Sequence, residues 1–237
     1  MKHPKNAGKL LLPLLFLLNL LLIYGIITRE KPSEPAFAMK DRPVLILDAG
    51  HGGTDGGAVS ASGLSESQVN LDIVLRMREL CRYLGLPCLL TRETEELDYP
   101  QEADTIAKMK LWDTRRRVEY INRQENAFLL SIHQNCYPSP KPRGPQIFFS
   151  PGDIPKKAAE RIQNYMTENL YPLNRRVAAP IPKGIYIPEH AHCPTVLCEC
   201  GFLSNPEEEA LLSTAEYRTK IALILIGAYL VSDEENL

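Results

Sequence analysis

The sequence predicts an α/β fold, a sheet covered on both faces by helices, and three observations carry that expectation. Strand-like apolar runs alternate with amphipathic helical stretches along most of the chain. Three of those runs, Val44 to Leu47, Ala127 to Ile132 and Thr195 to Cys198, each deliver a residue with chemistry to offer: His51 shortly after the first, His133 and Glu199 directly after the others. The first run also opens onto the turn Asp48-Ala49-Gly50-His51-Gly52-Gly53-Thr54-Asp55-Gly56-Gly57. Glycine-rich loops of this kind stand at the carboxyl ends of strands, where open α/β sheets place their chemistry.

Each element can be justified in chain order. Strand 44–48 leads into the glycine turn, and Ser65-Glu66-Ser67-Gln68 reads as a capping box that opens a helix over 65–84. The apolar face of that helix runs Val69, Ile73, Met77, Leu80 and Leu84 before Gly85 stops it. Next come strand 87–91, a polar loop over 93–110, helix 111–123, strands 127–132 and 146–150, and helix 154–170. Strands 184–188 and 195–199 and helices 206–212 and 214–232 complete the chain.

The amino terminus is a separate unit. Lys2, Lys5 and Lys9 precede an almost unbroken apolar stretch from Leu10 to Ile27. As a helix it would reach about 27 Å, close to the roughly 30 Å of bilayer hydrocarbon. Basic residues on the leading side favour export of the remainder of the chain. A small-x-small site, Ala36-Phe37-Ala38, lies well beyond the apolar run, so an uncleaved anchor is favoured over a cleaved signal. The expected organisation is an anchor or signal over 1–28, a linker over 29–42 rich in prolines and charges, and one catalytic domain over 43–237. The net charge of −2, with signs mixed throughout, sets nucleic acid aside as a partner, and Arg115-Arg116-Arg117 reads as a solvated helix face.

The glycine turn is not a nucleotide loop. A dinucleotide pattern starting at Gly50 needs glycine where Asp55 stands, and no Gly-Lys-Ser/Thr comes after it. Two imidazoles and a carboxylate form a recurring catalytic zinc set, three protein ligands with a fourth position left for water. One acid is then left over. Glu66, in the first turn of a helix just after the glycine loop, can complete a site with His51 and His133, and Glu199 can serve as general base. Spacing alone leaves open which glutamate does which.

These residues resemble the zinc-dependent N-acetylmuramoyl-L-alanine amidases of the type-3 amidase family. The resemblance rests on the glycine-turn motif, the helix start from Glu66 to Asn70-Leu71, Thr91-Arg92, Arg117 with Asn122, Ser131-Ile132-His133-Gln134-Asn135, and Val196 to Pro206. It covers the chain from Val44 to its end. It implies that His51, Glu66 and His133 bind zinc and that Glu199 is the catalytic acid/base. It implies a three-layer α/β/α domain around a mostly parallel six-stranded sheet, zinc-exopeptidase-like in type, and a structural salt bridge at Arg117. The activity it implies is hydrolysis of the amide joining the lactyl group of N-acetylmuramic acid to L-alanine in peptidoglycan. Short length, a leading apolar segment and the lack of wall-binding repeats make the germination-specific spore-cortex amidases the most similar subgroup. A domain without repeats has only its own groove to hold a polymer, so dependence on a spore-envelope protein partner or on local confinement at the membrane is expected. Another zinc peptidase acting on stem peptides, or a noncatalytic wall-binding protein, are the rival readings.

Glu189-His190-Ala191-His192-Cys193 departs from the family pattern, and Cys198 and Cys200 bracket Glu199. A second metal site from these is disfavoured, because Cys198 and Cys200 point to the same side of a strand. The six cysteines are expected as free thiols, although Cys81 and Cys88 stand close enough in sequence to bridge.

Overall fold

In the computed structural model, which describes residues 42–231, the first strand β1 (Val44–Ala49) is buried almost throughout. Continuous apolar side chains suit it to the interior of a parallel sheet, where both faces are covered. Leu45 and Leu47 enter one core, while Ile46 enters the other, so the alternation of the strand serves two helical layers. After it come α1 (Glu66–Leu84), β2 (Cys88–Leu90), α2 (Ile106–Asn122), β3 (Ala127–Asn135), β4 (Gln146–Phe149) and α3 (Asp153–Leu170). The chain continues with β5 (Ala179–Pro180), α4 (Tyr186–His190), β6 (Thr195–Phe202), α5 (Pro206–Leu212) and α6 (Ala215–Val231).

The six strands form one sheet in the order β2-β1-β3-β6-β4-β5. Pairing is parallel except where β4 runs antiparallel to β6. One face packs Val69, Ile73 and Met77 of α1 with Ile162 of α3 and Leu225 of α6. Val118 and Ile121 of α2 and Ile187 of α4 cover the other. The expected three-layer α/β/α domain is therefore present. Because β1, β3 and β6 are parallel, their carboxyl ends meet on one rim. The opposite end holds both ends of the described chain: Arg42 donates to the Leu230 carbonyl at 3.3 Å and the Tyr229 hydroxyl to the Pro43 carbonyl at 3.4 Å.

Three expectations need correction. Residues 184–188 are not a strand: Gly184 turns the chain at φ 91°, and helix α4 begins at Tyr186. Pro188 falls in its first turn, where a missing N–H leaves no bond unmade. The strand beside β4 is instead the two-residue β5, whose proline is tolerated on an edge. The capping box does not form, since Ser65 is the N-cap but makes no side-chain cap bond. The first-turn amides are already occupied by the glycine loop, Glu66 N donating to the Ala58 carbonyl at 2.8 Å and Ser67 N to that of Gly56 at 3.1 Å. Helix α2 starts at Ile106, earlier than 111, because Thr105 caps it by accepting from the Lys108 amide at 3.3 Å. No helix among the described residues is long and apolar enough to cross a membrane. The apolar run 10–27 and nearly all of the linker lie outside those residues.

Candidate active site

β1 and β3 are adjacent, so the turn after β1 lies against the end of β3. β6 pairs with β3 on its other side, with Glu199 directly opposite His133 in the register. Helix α1 presents Glu66 from its first residue. His51, Glu66 and His133 are thereby brought together, each offering one donor atom, with all three atoms within 4.8 Å of one another. The Glu66 carboxylate lies between the rings, 2.9 Å from His133 Nδ1 and 3.4 Å from His51 Nε2. Its oxygens also accept from the amides of Gln134 at 3.1 Å and Ala58 at 3.0 Å, and from Asn70. His51 Nδ1 lies 2.9 Å from Asp55, which in turn faces Lys110 at 3.0 Å, so the other ring nitrogen is turned toward Glu66.

Two glycines explain why the cluster fits. A Cβ on Gly50 would overlap the His133 imidazole, and one on Gly57 would come within 2.6 Å of Glu66 Oε2 and 2.8 Å of His51 Cδ2. The room in the loop is thus taken by its own functional side chains. Gly50→Ala is expected to displace the His133 ring, lowering turnover about 10²-fold, the cost of misplacing a functional group by about an ångström. Normal turnover with normal metal content in this variant would show that the ring tolerates the crowding.

His51 itself sits at φ 62°, a left-handed conformation that costs a non-glycine residue energy and is kept only where surroundings enforce it. Arg117 does so. Buried beneath the turn, it donates to the carbonyls of Ala49 and His51, each at 2.6 Å, and pairs with Asp48 at 3.1 Å and Asp113 at 2.7 Å. Arg92 adds bonds to the carbonyls of Ala49, Gly50 and Ser67. Asp48, fully enclosed, also accepts from Thr91 at 2.7 Å and Ser131 at 2.6 Å. Burial opposes its ionisation, but Arg117 and the two hydroxyls outweigh it and hold the carboxyl below its usual range. Arg115 and Arg116 are exposed as expected of a solvated face, while Arg117 alone turns inward.

The local field favours a cation. Burial disfavours the charged imidazole of His51, yet hydrogen bonds to Asp55 and Glu66 outweigh it and raise its pKa to about 9. Burial likewise opposes the Glu66 carboxylate, but hydrogen bonds from His133 and His51 hold it well below the usual range. A metal ion entering the site must therefore displace the His51 proton. Apparent metal affinity is expected to fall about tenfold per pH unit as pH drops from 8 to 6, the signature of one displaced proton. Chelator competition across that range checks this, and a flat profile would remove His51 from the ligands.

Glu199 has no such partner. Its Oε2 is enclosed and has no hydrogen bond, although the residue as a whole is partly exposed. Desolvation raises its pKa to about 7, with His133 and His51 opposing and Glu66 adding to the rise. Alternation along β6 turns Cys198 and Cys200 into the core on the α1 side, away from Glu199. His190 and His192 are exposed, and Asn122 clamps that segment through the His190 carbonyl and the His192 amide, both at 2.9 Å. Among the described residues, His51, Glu66 and His133 are the one group spaced to hold a metal.

Three donor atoms close enough to hold one ion, with an unpaired acid nearby at the carboxyl rim of an α/β sheet, fit the equipment of a metal-dependent hydrolase. Residues 45–228 match the N-acetylmuramoyl-L-alanine amidase family (Amidase_3), and the chain belongs to it. It is 37% identical over 181 residues to the germination-specific N-acetylmuramoyl-L-alanine amidase of Bacillus subtilis, covering 76% of this chain and 75% of that one. Identity to the amidase AmiA of Escherichia coli is 27% over 222 residues, covering 76% and 72%. The CwlD amidase of Clostridioides difficile, solved in complex with the GerS lipoprotein, superposes with a TM-score of 0.78 at 32% identity, over 82% of this chain and all of that one.

Proposed function

We propose that this protein is a zinc-dependent N-acetylmuramoyl-L-alanine amidase that hydrolyses the bond between the lactyl group of N-acetylmuramic acid and L-alanine in peptidoglycan. The observation that carries the chemistry is the unpaired Glu199 carboxyl beside a His51, Glu66 and His133 cluster. Two nitrogens and one carboxylate oxygen, with His51 held by Asp55 and Glu66 by two backbone amides, suit zinc with a coordination position left open. Zinc bound there would supply Lewis acidity, easing deprotonation of a water near neutral pH and polarising the scissile carbonyl.

The residues do the rest. Glu199, with a pKa near 7 set by its burial, accepts the proton of the attacking water and returns it to the departing amine. Asp55 holds the His51 ring in one tautomer and orientation, and the Gln134 and Ala58 amides do the same for Glu66. Arg117 and Arg92 keep the turn that carries His51 in its strained form. No covalent acyl-enzyme is required.

The spore cortex is the substrate best supported by the relatives, through likeness to the germination-specific enzyme. An exported, membrane-anchored location is supported by the basic and apolar amino-terminal sequence. A partner of the lipoprotein kind is supported by the complex in which the C. difficile relative was solved. Mass spectrometry of wall fragments after incubation with the purified protein tests the reaction. Free, intact stem peptides and unsubstituted muramic acid are the expected products. Stem peptides shortened within the peptide would mark a different zinc peptidase, and unchanged wall a noncatalytic binder.

A further inference from the structure

The geometry points to Gln146 as a substrate-binding residue that holds the departing stem peptide by the amide following L-alanine. This deepens the hydrolytic reading above and rests on it. Gln146 opens β4 and stands opposite Glu199 in the antiparallel register, while His133 stands opposite Glu199 on its other side. Residues paired across strands share a face of the sheet. His133, Glu199 and Gln146 therefore form one row across β3, β6 and β4. On β1 the row ends at Gly50, whose amide donates to the Ile132 carbonyl at 3.0 Å and whose missing side chain gives the His133 ring its room.

This row is where the sheet opens. His133, Glu199 and Gln146 are each partly exposed, whereas the residues on either side of them, Ile132, Gln134, Cys198, Cys200, Pro145 and Ile147, are buried. One step deeper on the same face, the paired Ser131 and Leu197 are buried as well. The three side chains line a single open strip, with the ligand cluster on the β1 side of Glu199 and Gln146 on the β4 side.

The Gln146 amide has a fixed orientation. Its Nε2 donates to the Val177 carbonyl at 2.8 Å and to the Ile147 carbonyl at 3.1 Å. Reversing the amide would set oxygen against both carbonyls, so the network itself assigns the two ends. Oε1 accepts no hydrogen bond among the described residues. It is a free acceptor, and the donors a stem peptide offers are its backbone N–H groups. The order of the strip selects one of them. With the acyl half of the substrate at the cluster and Glu199 returning its proton to the alanine nitrogen, the amine half runs across β6 toward β4. Neighbouring strands lie about 4.8 Å apart, and one extended residue spans about 3.5 Å. The N–H after L-alanine is thus the one that comes level with Gln146. Recognition of this kind reads the peptide backbone and ignores the second side chain.

Two synthetic N-acetylmuramoyl tripeptides test the assignment, one with the ordinary peptide bond after L-alanine and one with an ester oxygen replacing that N–H. The full-length, zinc-loaded protein should release the first stem with kcat/KM about tenfold above the second, the scale of one hydrogen bond. Most of the difference should lie in KM. Gln146→Met should cleave the ordinary peptide about tenfold less efficiently than the parent and treat the two substrates alike, with zinc affinity unchanged. A residue that only tied β4 to β5 would slow both substrates equally, and discrimination surviving in Gln146→Met would overturn the inference. Equal kcat/KM for both substrates in the parent would overturn it too, leaving the amidase reading in place, whereas cleavage of neither would end both. Because that first comparison uses the unaltered chain, poor folding of the variant cannot shield the inference.

Discussion

Glu199→Gln is expected to leave affinity for added zinc unchanged and lose about 10²–10⁴-fold in rate, the usual contribution of a positioned acid/base, while Glu66→Gln should weaken that affinity. The contrast comes from what each carboxyl touches. Glu66 lies against both imidazoles and two backbone amides, so an amide there replaces a charged ligand with a weak one. Activity of that variant should return in part with added zinc. Glu199 has an enclosed oxygen with no protein partner, which an amide can occupy without disturbing the cluster. Stability gives an independent check in metal-free protein. The folded pKa of Glu199, about 7, lies above its ordinary 4.5, so folding favours the neutral acid. That contribution is intact below about pH 4.5 and is lost as pH rises through about 7. Metal-free Glu199→Gln should thus be more stable than the parent at pH 8 by on the order of 2 kcal/mol, after allowance for partial exposure, and equal to it at pH 4. Urea unfolding at the two pH values measures it. Loss of metal in Glu199→Gln with retention in Glu66→Gln would exchange the two roles.

Arg117→Met should destabilise the domain by about 3–5 kcal/mol, the range for breaking a buried pair from one side. Asp48 would remain enclosed as a carboxylate with two hydroxyl donors and no paired cation, the His51 carbonyl would lose its Arg117 donor, and the Ala49 carbonyl would keep only Arg92. The urea midpoint should fall with little change in slope. Asp48→Asn combined with Arg117→Met should cost less than the sum of the single changes, since neither then strands a buried charge. Full additivity would mean that Arg117 acts on the turn alone. Because the guanidinium also holds His51 at its positive φ, zinc affinity should weaken in the same variant.

The rim was legible in the sequence because apolar runs that end in His or Glu can be read without knowing their neighbours. Parallel pairing then does the assembly, and strand order sets the His133 and Glu199 register. What could not be read has local causes. The start of α2 is hidden because Ile106 is exposed and the first turn shows no apolar period, so only Thr105 marks it. Ile185 to Ile187 has the β-rich composition of a strand, yet Gly184 and the proline in the first turn favour a single helical turn there. The residues that orient the cluster were harder still. Asp48 could have been noticed as an acid inside an apolar strand. Asn70 and Gln134 carry no such mark, because their partners come from distant segments: Asn70 reaches the Gly50 carbonyl at 3.1 Å and Gln134 at 3.1 Å.

The chain enters β1 and leaves α6 at the end of the sheet opposite the reactive rim, with Arg42 and Tyr229 tying entrance to exit. At about 3.3 Å per residue, a β3 of nine residues sets these poles roughly 30 Å apart. The described chain therefore begins and ends on the far side of the sheet from the working edge. Adjacent ends of this kind suit the domain to being carried as an insert, joined to a host at the pole away from its rim.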